Sequence, residues 1–388
     1  MPVSSVLHIL RTIKDRAPVS RTELQQLTGL SWGTVTNTTR QLLARNLIRE
    51  EGTLSTKAGR KPMRLALNPA GHCFIGIEIS PTAVRCLATN LGAENLAEEQ
   101  FAIGPDDDPA AILARVADLV RRAQLAAAPR ALIGVGIALP GRVCVREGRV
   151  CGSPALPRWN DLPIRVLLES RLNLPVRLEH RAAALALAER WFGAGGEDLL
   201  CIDLGESVSL GILIGGDVFR GSAGHAANFA HFSLDPAGPP CPCGSRGCVN
   251  AYCSVPSVLA FARHSPNPAG PGVSAASPPA ATIEELTARA AAGSAPARAA
   301  FDRMGQYLAL GLNNLIQLFD PALVVLAGTS IPAADFFIPA LQRHLAAHAN
   351  PQLRQPVISR LAPRAAALGA CAAILQATFT LDGEKATK

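Results

Sequence analysis

The chain has 388 residues, room for roughly two or three domains, and 48% of them are hydrophobic, so a sizeable core is available. Ten cysteines are too sparse for a small disulfide scaffold, and no apolar run reaches the length of a membrane helix. The net charge of +7 is unevenly spread: residues 1–70 hold eleven Lys and Arg against four Asp and Glu, while the rest holds 26 of each sign. A cationic module joined to a neutral body is the footprint of nucleic-acid binding, and the apolar patterning of the first segment argues against a solvated tail. The opening MPVSSVLHILRTIKDRAP lacks the charged start, apolar run and cleavage site of a signal peptide. The reading is a soluble, cytoplasmic chain with reduced thiols and no membrane partner.

In chain order, SVLHILRTIKDR places Val6, Ile9, Leu10 and Ile13 on one helical face. SRTELQQLTG opens with a capping box, Ser20 with Glu23, and stops at Gly29. SWGTVTNTTRQLLARNLI follows after a one-residue turn, starting at Ser31. Helix, tight turn, helix is the helix-turn-helix pattern. Its second helix presents Ser31, Trp32, Thr34, Thr36, Asn37 and Arg40 to base edges and phosphates, with Val35, Leu42, Leu43 and Leu47 inward. IREEGTLSTKAGRKPMRLALNP reads as two short strands around a basic loop, a wing. Its GRKP segment, with Arg60 and Lys61 held extended by Pro62, suits a narrow A·T-rich minor groove. Arg21, Arg40, Arg45 and Lys57 are expected on phosphates. Use of the winged helix for protein contacts is the competing reading.

From Cys73 the pattern changes. CFIGIEIS, ALIGVGIALPGRV, LLCIDLGESVSLGILIGG and ALVVLAGTS read as buried strands separated by alanine-rich helices, which predicts an α/β body. Residues 264–281 read as a Pro/Ser/Gly/Ala-rich surface loop.

The order of these motifs resembles the transcriptional regulators of the ROK family (repressors, open reading frames and sugar kinases), the group of the N-acetylglucosamine and xylose repressors. Its carriers are AGRKPMRLALNP, IGIEI, GVGIALPGRV, LPRWNDLPI, AERWFGAGG and HFSLDPAGPPCPCGSRGCVNAYCS. The resemblance implies a winged helix-turn-helix over residues 1–70 and a two-lobed, actin-like ROK body over 71–388. The expected lobes are about 71–182 with a C-terminal helix at about 363–380, and about 183–362. It also implies homodimers or homotetramers and a sugar effector between the lobes.

Cys241, Cys243 and Cys248 stand in the spacing C-x-C-x4-C, with His231 ten residues upstream. Three thiolates and an imidazole make a closed tetrahedral shell suited to structural zinc, and the family uses a His and three Cys in this way. A redox pair involving Cys248 or Cys253 is the alternative.

Family kinases place a catalytic carboxylate in an Asn-Asp pair, and here His180 and Arg181 stand there. Arginine stays protonated and cannot act as a base. The first phosphate loop reads EISPT instead of D-x-G-G-T, and the second reads GESVSLG. No enzyme activity is therefore expected, a carbohydrate kinase with an added DNA-binding domain being the alternative. The resemblance assigns His180, Arg181, Asn228, His231 and Asn250 to the effector site, where asparagines replace two acids. The gained cation suggests a sugar phosphate or sugar acid. Decay of the site, or pairing of Arg181 with Glu179 or Glu189 on the surface, remain open. The reading is a DNA-binding regulator of carbohydrate-metabolism genes, a repressor.

Overall fold

A computed structural model describes residues 5–53, 63–222, 224, 226–264, 280–346 and 355–385. The chain divides into two compact units, Met1–Gly195 with Pro363–Lys388, and Gly196–Ala362.

The first unit begins with α1 (Ser5–Arg16), β1 (Val19–Ser20), α2 (Arg21–Thr28), α3 (Trp32–Ala44), β2 (Ile48–Thr53) and β3 (Met63–Leu67). The expected inner face of α1 is realised by Leu7, Ile9, Leu10 and Ile13, with Val6 only half-buried. The capping box forms: Glu23 N donates to Ser20 Oγ (3.3 Å) and Ser20 N donates to Glu23 Oε2 (2.7 Å). The Ser20 amide holds the Glu23 carboxyl below the usual carboxylate range. Helix α2 closes at Gly29 in the left-handed conformation. Helix α3 ends at Ala44, earlier than the apolar pattern suggested, because Asn46 takes a positive φ (55°) and Ile48 enters β2. Order β1-β3-β2 makes the sheet of a winged helix. The tip between β2 and β3, with Lys57, Arg60 and Lys61, lies outside the described residues.

The chain continues through β4 (His72–Ile79), β5 (Ala83–Asn90), β6 (Asn95–Ala102), α4 (Pro109–Ala126), β7 (Ala131–Leu139), the hairpin β8 (Arg142–Cys144) and β9 (Arg149–Gly152), α5 (Ile164–Leu172), β10 (Val176–His180) and α6 (Arg181–Phe192). The sheet order is β10-β7-β4-β5-β6, with β4, β5 and β6 an antiparallel meander and β7 and β10 added in parallel. Cys144 and Cys151 form a disulfide across the hairpin, with Cα atoms 5.9 Å apart. The expectation of reduced thiols fails at this pair, which the hairpin brings together, and holds for the other eight cysteines, which are free.

The second unit contains β11 (Leu199–Leu204), β12 (Val208–Ile214), β13 (Asp217–Val218), α7 (Asn250–Cys253), α8 (Val255–His264), α9 (Ile283–Ala291), α10 (Ala295–Phe319), β14 (Leu323–Ala327), α11 (Ala334–Ala346) and β15 (Val357–Ile358). Its order β13-β12-β11-β14-β15 repeats the first sheet's pattern, an antiparallel meander extended by two parallel strands. The apolar residues of β11, β12, α10 and α11, among them Ile202, Leu210, Phe301 and Phe337, form its core.

Helix α12 (Ala365–Lys385) returns to the first unit and packs on α6, β4 and β7. Alanine and glycine make the approach possible: a Cβ on Gly136 would lie 1.8 Å from Ala370 O, and one on Gly369 would lie 1.7 Å from Ala184 O. No helix among the described residues is long and apolar enough to cross a membrane.

Candidate nucleic-acid interface, metal centre and effector residues

Ser31 caps α3, its Oγ accepting from Thr34 N at 3.1 Å and lying 2.9 Å from Thr34 Oγ1. Ser31, Trp32, Asn37, Arg40 and Arg45 are exposed, while Arg21, Thr34 and Thr36 are half-buried. Thr36 Oγ1 is shielded from solvent, so that hydroxyl is not turned outward as expected. Arg40 Nη1 donates to Asn37 Oδ1 at 3.3 Å. Arg21 Nε donates to Thr39 Oγ1 at 3.0 Å, which braces α2 on α3. The Arg45 guanidinium lies 4.9 Å over the Phe379 ring of α12.

A contact that no local pattern signals joins this module to the neighbouring sheet's helices. Arg190, near the end of α6, is 1% exposed, and its Nη2 lies 3.2 Å from Asp15 Oδ2 of α1. Helix α6 therefore starts at His180 and Arg181 and ends on the winged helix.

His231, Cys241, Cys243 and Cys248 come together, with ligand atoms all within 4.8 Å of one another. Cys243 Sγ and Cys248 Sγ are 3.7 Å apart, and Cys241 Sγ is 3.5 Å from His231 Nδ1. A tetrahedral metal with bonds of about 2.3 Å to sulfur and about 2.0 Å to nitrogen gives edges of ~3.8 and ~3.5 Å. The donor set thus fits a metal ion. Burial and the neighbouring thiols push Cys248 up to about 11, while the Ser245 backbone hydrogen bond draws Cys243 down. A cation would supply the charge that favours the thiolate form. The loop is folded by Cys241 N→Ser245 O (2.8 Å) and Leu234 N→Gly247 O (2.8 Å). Cys253 belongs to neither a metal shell nor a redox pair: it is fully buried, and its Sγ donates to Met304 O at 3.6 Å.

Of the expected effector residues, His180 and Arg181 lie in the first unit, and Asn228, His231 and Asn250 in the second. His180 is the N-cap of α6. Arg181 Nε donates to Glu78 Oε1 at 3.2 Å, joining the helix start to the end of β4. Glu179 and Glu189, the expected surface partners of Arg181, are both buried. Glu189 Oε2 instead accepts from Ala194 N (3.0 Å) beyond the helix end. Asn228 is exposed at the start of a short turn. Asn250 Oδ1 accepts from Val208 N (2.9 Å) and Ser207 Oγ (3.0 Å). It thereby braces the β11–β12 turn. In the EISPT turn, Ser80 Oγ accepts from Ala83 N at 3.0 Å.

A winged helix joined to a body with two sheets of like topology defines a regulator built on the sugar-kinase fold. The chain belongs to the ROK family, whose family model matches residues 74–377. It is 31% identical over 381 residues to a putative xylose repressor of Caldicellulosiruptor sp. (strain Rt8B.4), covering 95% of this chain and 94% of that one. It is 26% identical over 377 residues to the DNA-binding transcriptional dual regulator NagC of Escherichia coli (strain K12), covering 95% and 91%. A crystal structure of a ROK family transcriptional regulator, a homolog of the E. coli MLC protein, superposes with a TM-score of 0.80 at 24% identity over 98% of both chains. The ROK hexokinase of Thermus thermophilus superposes with 0.65 at 26% identity, covering 79% of this chain and 99% of that one.

Proposed function

We propose that this chain is a sugar-responsive DNA-binding transcriptional regulator, a repressor of carbohydrate-metabolism genes working in the cytoplasm. The observation that carries the reading is the exposed, capped helix α3 of a winged helix on a ROK body whose catalytic position holds an arginine. Residues 1–70 form the DNA-binding domain and 71–388 the sensing body, with lobes at about 71–182 plus 363–380 and about 183–362. Ser31, Trp32, Thr34, Asn37 and Arg40 face the major groove, and Arg21, Arg45, Lys57, Arg60 and Lys61 serve phosphates and the minor groove. A homodimer or homotetramer sets two such helices on half-sites about one helical turn, or a multiple of it, apart.

The body is not a kinase in this reading. A base must accept the proton of the attacking hydroxyl, and the Arg181–Glu78 pair occupies that place with a cation and an already engaged carboxylate. The EISPT turn has no glycine to let a phosphate approach the backbone, and GESVSLG brings the negative charge of Glu206 to the second turn. The same ion pair neutralises the cation that suggested an anionic effector. A neutral sugar is therefore favoured for the expected effector residues. His231, Cys241, Cys243 and Cys248 hold a structural zinc with no open position, which orders the loop leading to Asn250. Helix α6 links the effector residues at its start to Asp15 at its end, and coupling of typically 1–3 kcal/mol is expected along such an element.

The test is selection of genomic duplex fragments by the full chain with and without neutral pentoses, hexoses and N-acetylhexosamines. Retention of defined fragments that one sugar releases is expected. ATP-dependent phosphorylation of a sugar, with no fragment retained, refutes the reading. A melting screen identifies the sugar independently, because a ligand at a hundred times its dissociation constant adds about 2.7 kcal/mol.

A further inference from the structure

The leading turns of α3 carry an unusual chemistry for a DNA reader. Between Trp32 and Ala44 the one ionisable residue is Arg40, and the first six positions, WGTVTN, carry no charge. The Ser31 and Thr34 hydroxyls bond each other, and Thr36 Oγ1 is shielded. What these turns offer outward is the Asn37 amide and an indole: Trp32 is 49% exposed, with Leu27 of α2 beside the turn at 51%.

Each base pair presents a distinct edge in the major groove. Guanine O6 and N7 are read mostly by Arg or Lys, and no cation stands on the first six positions. Adenine N6 and N7 are read by Asn or Gln, and the thymine C5-methyl by apolar side chains. We infer that α3 reads A·T pairs, with Trp32 against a thymine methyl and Asn37 on an adenine. This rests on the DNA-reading assignment above. Arg40 acts as a positioning residue: its 3.3 Å bond to Asn37 Oδ1 favours the amide orientation in which that oxygen accepts. That oxygen has two lone pairs, so it accepts from Arg40 and from adenine N6–H together, while Nδ2 donates to N7.

The experiment uses the full chain and a random duplex pool at fixed salt, followed by titration of the selected duplex with thymine or uracil at each α3-contacted position. Uracil lacks only the methyl group. Enrichment of A·T in each half-site is expected, with about a fourfold weaker affinity at one uracil position and no such effect in Trp32→Ala. Asn37→Ala is expected to lose about 5- to 150-fold at the adenine position. Half-sites enriched in G·C, or equal affinity for thymine and uracil at every position, overturn the inference while leaving DNA binding intact. Failure to retain any duplex at low salt is the separate outcome that removes the DNA-reading assignment, and this inference with it.

Discussion

Replacing Cys243 with Ser removes one donor from the His231–Cys248 cluster. The expected magnitude follows from loop closure. A metal held by this cluster would cross-link residues separated by 17 positions, from His231 to Cys248. A cross-link of that span removes about 3 kcal/mol of chain entropy from the unfolded state. The unit that contains it runs over Gly196–Ala362, a size at which 1 kcal/mol moves Tm by roughly 2–4 °C. Loss of zinc should therefore lower the melting transition of that unit by about 6–12 °C. The wild-type chain should yield one zinc per chain by atomic absorption and Cys243→Ser none. The Asn250 clamp on the β11–β12 turn should loosen with it, seen as faster amide exchange at Val208. A Cys243→Ser protein that keeps one zinc per chain, or a chelated wild type that melts unchanged, would refute the ligand assignment.

Other outcomes follow from particular contacts. Gly136→Ala puts a methyl 1.8 Å from Ala370 O, a backbone atom that cannot rotate away, and should cost about 3 kcal/mol in urea unfolding; a loss under about 1 kcal/mol would contradict the close helix–sheet packing. A double-mutant cycle of Asp15→Ala and Arg190→Met should show about 1 kcal/mol of coupling, modest because the Asp15 side chain is 41% exposed, and additive effects would remove the α1–α6 link. Wild type and Glu78→Gln should both lack ATP-dependent sugar phosphorylation across a broad panel, and turnover by the wild type would overturn the non-enzymatic reading.

Much of this architecture is legible in the sequence because its signals are local. Capping at Ser20 with Glu23, the stop at Gly29 and the apolar faces of α1–α3 spell out a helix-turn-helix. Buried β4, β7, β11 and β14 announce themselves as apolar runs. Strands β5 and β6 are less legible, since AVRCLATN carries polar residues within a largely buried strand and NLAEEQFA is polar and largely uncovered. The cysteine spacing marks the candidate metal cluster, because His231, Cys241, Cys243 and Cys248 lie close together in the chain. What sequence could not reveal depends on distant pairings. Glu78 meets Arg181 across 103 positions, and Asp15 meets Arg190 across 175. Asn250 looks like a ligand-facing residue, yet its carbonyl oxygen is spent on a turn more than forty positions earlier. The Cys144–Cys151 pair needs the β8–β9 hairpin before it makes sense.

The most direct measurement is the salt dependence of full-chain binding to a selected genomic duplex, compared with the double variant Asn37→Ala, Arg40→Ala. The account predicts that log affinity of the wild type falls linearly with log salt and that the variant binds selected and unrelated duplexes alike. Undiminished discrimination by the variant, or no duplex bound by either protein at low salt, would contradict it.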